Sequence, residues 1–147
     1  MVMLRRDSIV DTLRRIDWAR LGARWVVVFG SLASKGVGRD VDLLVRPAGK
    51  GGAEWRLRMS VEIGEVIGVD WARVDIVEAN TDTPCPIVYD AWRQGVVVYE
   101  ERGGLAREWL LVRVMVCSDY GLAVKRLEVV KTAVRAARRR WDSGSPS

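Results

Sequence analysis

The sequence predicts an α+β domain, with a small mixed β-sheet backed by helices and a helical extension at the C-terminal end. Over the first two thirds of the chain, short apolar and β-branched runs alternate with segments of helical periodicity. The last third carries only a helical pattern. A chain of 147 residues is long enough to bury one core, and it fits a single domain of this class.

Four strands and three helices are predicted before residue 105. Each strand is an apolar run bounded by glycine, proline or polar turn residues, and each helix follows the spacing of its apolar side chains. The predicted strands cover residues 25–29, 41–45, 73–77 and 96–99. The predicted helices cover residues 8–19, with Asp7 or Ser8 as the N-cap, and residues 53–67 and 87–93.

Residues 105–142 form the predicted C-terminal extension. Its apolar residues are separated by three or four positions, which is the strongest periodic signal in the chain. They are Trp109, Val112, Val116, Tyr120, Ala123, Leu127, Val130, Val134, Ala137 and Trp141. Gly121 costs about 1 kcal/mol relative to alanine, so the pattern predicts either one long helix or a helix pair. The predicted organisation is a domain over 1–104, the extension over 105–142 and a disordered tail over 143–147.

This apolar stripe has two interpretations. It packs against the chain's own sheet, or it docks a second protein or a second copy of the chain. The extension is also basic, because residues 125–140 contain seven lysines and arginines and one acid. We interpret this charge as a solvated helix end, with an anionic partner such as RNA as the less favoured alternative.

Composition restricts the chemistry. The chain has no histidine, and Cys85 and Cys117 lack metal-site spacing, which argues against a zinc site. Catalysis would therefore depend on carboxylates or a metal. No apolar run is long enough for a membrane span and no secretory signal is evident, so we expect a cytoplasmic protein with reduced thiols and no membrane partner. Asn80 and Gln94 are the only side-chain amides, which is typical of a thermophile-like composition.

The segment over residues 29–45, FGSLASKGVGRDVDLLV, contains the candidate chemistry. A strand that ends in Gly30 and Ser31 and turns into a helix exposes backbone N–H groups that suit a phosphate. Asp40 and Asp42 are two positions apart on a strand, so their side chains project to the same face. Neighbouring carboxylates repel each other unless a cation lies between them, and hard oxygen ligands favour Mg²⁺ or Mn²⁺.

Asp75 is the candidate for a third ligand. It lies between Val74 and Ile76 in a predicted strand, where an acid is costly unless it has a partner. A site with two metals needs a further carboxylate, which Asp75 would supply. A structural ion pair with Arg73 or Arg39 is the alternative.

Together these residues resemble the signature of the polymerase β-like nucleotidyltransferases, and in particular the minimal nucleotidyltransferase (MNT) group. In that family a strand ends in Phe-Gly-Ser, Asp-x-Asp-Leu-Leu-Val follows after a loop, and a third acid arrives from a later strand. Residues 90–100, DAWRQGVVVYE, resemble the short helix, glycine and final strand that close this domain. The resemblance covers residues 25–100.

The resemblance implies the nucleotidyltransferase fold and a transfer of a nucleoside monophosphate, with AMP from ATP as the expected case, to an acceptor with release of pyrophosphate. It implies that Gly30 and Ser31 bind the nucleotide phosphates. Asp40 and Asp42 would bind Mg²⁺ or Mn²⁺, and Asp75 would both ligate metal and help to activate the attacking hydroxyl. The three aspartates are thus candidates for catalysis and for metal binding.

Two features depart from the family pattern. Lys35 would stand in for the arginine that usually follows Gly-Ser, and only eight residues separate Ser31 from Asp40, where the family commonly has about ten. These departures favour an alternative, an antitoxin-like binding module whose site has decayed. Members of the family are often paired with a helical HEPN-type protein, which can be an RNA-cleaving toxin. The resemblance therefore implies an antitoxin that acts by binding such a partner or by transferring AMP to it.

Overall fold

A computed structural model describes residues 3–144, apart from the side chains of residues 120, 122–124 and 141–144. The chain divides into two units, Met1–Val114 and Met115–Ser147, each of which is described by itself. This boundary falls ten residues after the predicted one at 104, because the first turns of the last helix belong to the first unit.

The predicted strands and helices occur in the order in which the sequence places them, and the structure adds two short strands and a 3₁₀ turn. The first half contains β1 (Leu4–Arg5), α1 (Arg6–Leu13), β2 (Ala23–Phe29), α2 (Gly30–Lys35), β3 (Val37–Gly38) and β4 (Val41–Pro47). The second half contains α3 (Ala53–Ile67), a 3₁₀ turn (Trp71–Arg73), β5 (Val74–Glu78), α4 (Cys85–Gln94), β6 (Val96–Glu100) and α5 (Leu105–Gly144).

The main sheet has four strands in the order β5-β4-β2-β6. Strand β2 pairs antiparallel with β4 and β6, whereas β4 and β5 are parallel. The predicted mixed sheet backed by helices is therefore confirmed. A second, two-stranded sheet of β1 and β3 was not predicted, because each of its strands has only two residues and no periodic pattern.

Both faces of the sheet are covered. On one face Val26, Val28 and Leu43 join a buried cluster with Leu13 of α1 and Ile63 of α3. Burying a side chain of this size contributes about 1.5–3 kcal/mol, so this cluster accounts for much of the stability of the first unit. On the other face the rings of Trp25 and Trp109 have centroids 5.3 Å apart.

The first helix differs from its prediction at both ends. It ends at Leu13 rather than at residue 19, because the indole N–H of the buried Trp18 donates to the Leu13 carbonyl at 2.8 Å and turns the chain back. It begins at Arg6, and its N-cap is Arg5 without a side-chain hydrogen bond, so the prediction of Asp7 or Ser8 as the cap is wrong. The Arg6 N–H donates to the Gly36 carbonyl at 2.9 Å, which fixes this earlier start.

The remaining boundaries differ by one or two residues at most, and α3 coincides with its prediction over residues 53–67. Helix α4 begins at Cys85 because Pro86 lies in its first turn, where a missing N–H costs nothing. Of the two alternatives for the extension, the structure has one helix over Leu105–Gly144. Ser143 and Gly144 are helical rather than part of a tail, and residues 145–147 lie outside the described residues.

The state of the cysteines also differs from the prediction. Cys85 and Cys117 are both disulfide-bonded, so the prediction of reduced thiols is wrong. The cytoplasmic location stays a prediction without that support. None of the helices over residues 3–144 combines the length and the apolar character needed to cross a membrane.

Gly95 lies where the end of α4 packs closely on the sheet. Its φ of −66° suits any residue, but an added Cβ would lie 2.3 Å from the Ala91 carbonyl oxygen and 2.6 Å from Cγ1 of Val27. Gly95→Ala should therefore lower the free energy of unfolding by about 1–3 kcal/mol, the usual cost of overpacking. Gly103→Ala, where a Cβ meets nothing within 4 Å, is the control. Equal urea midpoints for the two variants would contradict this packing.

Candidate active site

The sequence-predicted acids lie together at the edge of the sheet that is formed by strand ends rather than by an outer strand. Strand β2 ends at this edge with Phe29, and β4 and β5 begin there. In the register, Asp42 lies opposite Phe29 on one side and opposite Asp75 on the other. Adjacent strands are about 4.8 Å apart, so the Asp42 and Asp75 side chains leave neighbouring backbones on the same face. Asp40 comes directly before β4, one residue outside the strand.

The turn from β2 into α2 approaches Asp42 closely. Gly30 has a φ of +76°, and a Cβ at this position would lie 2.2 Å from Oδ2 of Asp42. Only glycine combines this backbone conformation with this contact. Ser31 follows in the first turn of α2 with its side chain exposed. The structure therefore brings the predicted phosphate-binding turn directly against the predicted metal-binding acids.

A fourth acid, Asp90 of α4, also lies at this edge. Its Oδ2 accepts a hydrogen bond from the Gly30 N–H at 2.9 Å. From the sequence, Asp90 is only the first residue of the segment that resembles the end of the domain, and no role is predicted for it. The available signal was an acid five residues before the glycine that ends the helix, in a segment that leads directly into a strand of the sheet.

The four acids interact electrostatically. Asp42 is half-buried, whereas Asp40 and Asp75 are exposed. Burial raises the pKa of Asp42 most, and the charges of Asp75, Asp40 and Asp90 raise it further, to about 6. Asp42 is therefore a partly desolvated carboxyl group with like charges beside it, and a bound cation would relieve both effects.

A cavity of about 450 Å³ lies on the β5 side of the acids. Asp40, Asp42 and Asp75 line it together with Arg56 and Leu57 of α3 and the 3₁₀ turn. Trp71 in that turn is 52% exposed, so the cavity has an aromatic rim beside its acidic wall. Its volume is within the usual range of ligand sites.

Arg73 fixes the approach to β4. Its guanidinium Nε donates to the main-chain carbonyl of Arg39 at 2.7 Å, and Nη2 donates to the same oxygen. This contact ties the residue directly before Asp40 to the residue directly before β5. The two acid-bearing strand starts are therefore held together by a side chain as well as by the ladder.

The donor chemistry at this edge fits Mg²⁺ or Mn²⁺, because it consists of carboxylate oxygens that repel one another. In the described part of the chain, no three acidic or cysteine side chains are arranged as the ligand set of one ion. The fold thus places Asp40, Asp42 and Asp75 side by side without closing a ligand shell. The metal site and the roles of these residues remain proposals.

Lys35 lies apart from these groups. It is exposed at the last residue of α2, about 7.5 Å along the helix axis from Gly30 at 1.5 Å per residue. Gly36 follows in a left-handed conformation and ends the helix. The structure does not bring Lys35 to the turn that carries Ser31, and its role in nucleotide binding stays a prediction.

Several solved structures have a fold similar to that of this chain. A mutant of the MntA–HpeT toxin–antitoxin has a TM-score of 0.58 at 15% identity, over 89% of this chain and 99% of that chain. A toxin–antitoxin with AMP-PNP has a TM-score of 0.55 at 18% identity, over 89% and 99%. The tri-AMPylated Shewanella oneidensis HEPN toxin in complex with MNT antitoxin has a TM-score of 0.54 at 16% identity, over 88% and 95%. The chain has the nucleotidyltransferase fold.

This finding confirms the resemblance to MNT proteins at the level of the fold. No protein-family model matches the sequence, and no curated protein matches it. At 15–18% identity the structural likeness establishes the fold alone.

The raised pKa of Asp42 predicts a pH dependence of stability. Between pH 4 and about 6 the folded chain binds this proton more tightly than the unfolded chain, so the free energy of unfolding falls as the pH rises. Because Asp42 is partly solvated, we expect a loss of about 1–2 kcal/mol. Asp42→Asn should remove this loss of stability. Compared with wild type, the variant should therefore be more stable at pH 7.5 than it is at pH 4.5.

The measurement is urea unfolding in metal-free buffer at both pH values. Asp11→Asn, which removes an exposed acid on α1, controls for the change in net charge. A difference between wild type and Asp42→Asn that is the same at both pH values would contradict the raised pKa of Asp42.

Proposed function

We propose that this chain is a metal-dependent nucleotidyltransferase that transfers AMP from ATP to a protein acceptor, and that the acceptor is a HEPN-type toxin. The observation that carries the proposal is the meeting of the Gly30–Ser31 turn with Asp40, Asp42 and Asp75 at one sheet edge. The fold by itself would not specify an activity, because one fold supports many functions.

The nucleotide is proposed to lie on the β2 side of the acids. Backbone N–H groups that follow Gly30 in the turn and the exposed Ser31 hydroxyl would donate to the phosphate oxygens, while the Gly30 N–H itself donates to Asp90. Asp40 and Asp42 would hold Mg²⁺, which supplies neutralisation of the phosphate charge. The contribution of the chain is then mainly the position of the phosphates and the electrostatic environment around them.

The acceptor is proposed to enter from the β5 side. In phosphoryl and nucleotidyl transfer the attacking and leaving oxygens lie roughly in line, on opposite sides of the phosphorus. With the leaving pyrophosphate at the Gly30 turn, the opposite side is the cavity lined by Asp75 and Trp71. Asp75 would accept the proton of the attacking hydroxyl as its oxygen bonds to the α-phosphorus and the bond to pyrophosphate breaks.

The partner is inferred from the structural neighbours, which are toxin–antitoxin complexes. Helix α5 provides a surface for such a protein. In the part of α5 that belongs to the second unit, three apolar side chains of the predicted stripe lie on one face and are half or more exposed. They are Leu127 at 54%, Val130 at 58% and Val134 at 50%. An exposed apolar face on a helix is typical of a docking surface for a partner helix.

The transfer is tested by incubating the chain with ATP labelled at the α-phosphate, Mg²⁺ and a HEPN-type toxin. Wild type should label the toxin, and Asp42→Asn should lower the rate at least about 100-fold, because a charged group at the reaction centre is lost. Asp11→Asn changes the net charge equally and should leave the rate unchanged.

The outcomes separate the two candidate functions. No label transfer by wild type, together with no nucleotide binding by calorimetry, would overturn the enzyme. If the toxin is then still neutralised by wild type and by Asp42→Asn alike, the chain is the binding module that the short spacer between Ser31 and Asp40 suggested.

The partner surface is tested with two neighbouring valines. Val130→Asp should weaken toxin binding by about 10-fold or more, because a charge would be buried in an apolar contact. Val129→Asp is the matched control, since Val129 is 68% exposed but points about 100° away around the helix axis. Equal effects of the two changes would contradict a one-sided contact, and light scattering of the chain alone would reveal self-association through the same face.

A further inference from the structure

We propose that Asp90 is a positioning residue that fixes the Gly30–Ser31 turn by tying helix α4 to the end of strand β2, and that it thereby sets the affinity for the nucleotide. This inference rests on the proposed function for the identity of the ligand. The contact that it concerns does not depend on that function.

A hydrogen bond connects Asp90 to the turn. The Gly30 N–H donates to Oδ2 of Asp90 at 2.9 Å in partly buried surroundings, across 60 positions of sequence. A hydrogen bond from a backbone N–H to a carboxylate is about twice as strong as one between neutral groups. Without Asp90 this N–H would lose its acceptor inside the site, and the turn would lose this hydrogen bond to α4.

Close packing at Gly95 fixes the position of α4 on β2. At its C-terminal end, Gly95 brings the helix so close to β2 that an added Cβ would lie 2.6 Å from Cγ1 of Val27. Val27 lies on β2, three residues before Gly30. Helix α4 is therefore attached to β2 by packing at Gly95 and by the hydrogen bond at Asp90, so its position is transmitted to the turn.

Asp42 contacts the other side of the turn. Oδ2 of Asp42 occupies the space where a Cβ of residue 30 would lie. The Gly30 backbone is thus held between the carboxylate of Asp90 and the carboxylate of Asp42. A turn with contacts on both sides presents Ser31 in one position, and preorganisation of this kind lowers the cost of binding a ligand.

The chemistry of Asp90 makes a sharp distinction possible. If the residue acts through its hydrogen bond, an asparagine can replace it, since Oδ1 of the amide accepts from the same N–H. If the residue acts through its charge, asparagine fails as completely as alanine. We infer the first role, because a further negative charge beside Asp42 only adds to the crowding of the acids.

The contact is tested by amide hydrogen exchange of the metal-free chain, followed by NMR. In Asp90→Ala the Gly30 amide should exchange about 10-fold faster relative to wild type, while the Val28 amide in the same strand is unchanged. Asp90→Asn should restore the protection, and Asp11→Ala serves as a control acid removal on α1. An unchanged Gly30 exchange rate in Asp90→Ala would overturn the proposal.

The functional part is tested by calorimetry with Mn²⁺ and a non-hydrolysable ATP analogue, and by transfer kinetics. Asp90→Ala should raise the Kd and the KM for nucleotide about 10-fold with little change in kcat, and Asp90→Asn should stay within about 3-fold of wild type. Wild-type affinity in the alanine variant, or an equal loss in the asparagine variant, would refute a positioning role. If Asp90→Ala does not fold, Asp90→Asn alone decides between hydrogen bond and charge.

Failure of the proposed function gives a different result. Wild type that binds no nucleotide would overturn that function and with it the assignment of the ligand. The exchange measurement would still decide whether Asp90 holds the turn.

Discussion

The missing side chain of Gly30 is the constraint on which the candidate site depends. A carboxylate oxygen of Asp42 occupies the volume that a Cβ would need, and the positive φ of the glycine turns the chain into α2 at that point. Because Asp42 is opposite Asp75 in the parallel ladder, the same contact places the turn beside both strand starts. Any larger residue at position 30 would have to adopt the strained positive φ and displace the Asp42 carboxylate from the candidate phosphate-binding turn.

The acids themselves work against the stability of the fold. Asp42 is half-buried among three other carboxylates, and its pKa of about 6 records the cost of keeping it charged. A chain that needed only a stable sheet edge would gain by placing neutral residues there. The hydrogen bond from Gly30 to Asp90 and the contact of Arg73 with the Arg39 carbonyl show how the surrounding backbone is fixed despite this repulsion. Unfavourable charge held in place by specific contacts is typical of a functional site.

Local pattern was sufficient for most of the fold. The apolar runs predicted the four main strands within two residues, because these runs follow the local pattern of the chain itself. Asp40 lies one residue outside β4, so its shared face with Asp42 stays a prediction. Helix α1 was predicted too long because Trp18 ends it through a hydrogen bond to Leu13, a contact set by burial rather than by propensity. Asp90 was missed for the same reason, since its partner Gly30 is 60 residues away and no local pattern connects them.

The C-terminal helix shows the other limit of periodicity. A stripe of apolar residues every three or four positions specifies which face of a helix is buried, but the same pattern suits an intramolecular core and a docking surface. The exposure of Leu127, Val130 and Val134 supports the proposed docking surface, because side chains that packed in the chain's own core would be covered. The first turns of the same helix do pack in this way, where Ala106 and Leu110 are buried. These buried side chains lie beside the predicted stripe rather than on it, since the nearby stripe member Val112 is 58% exposed. The face of α5 that packs in the first unit could therefore not be identified from the stripe alone.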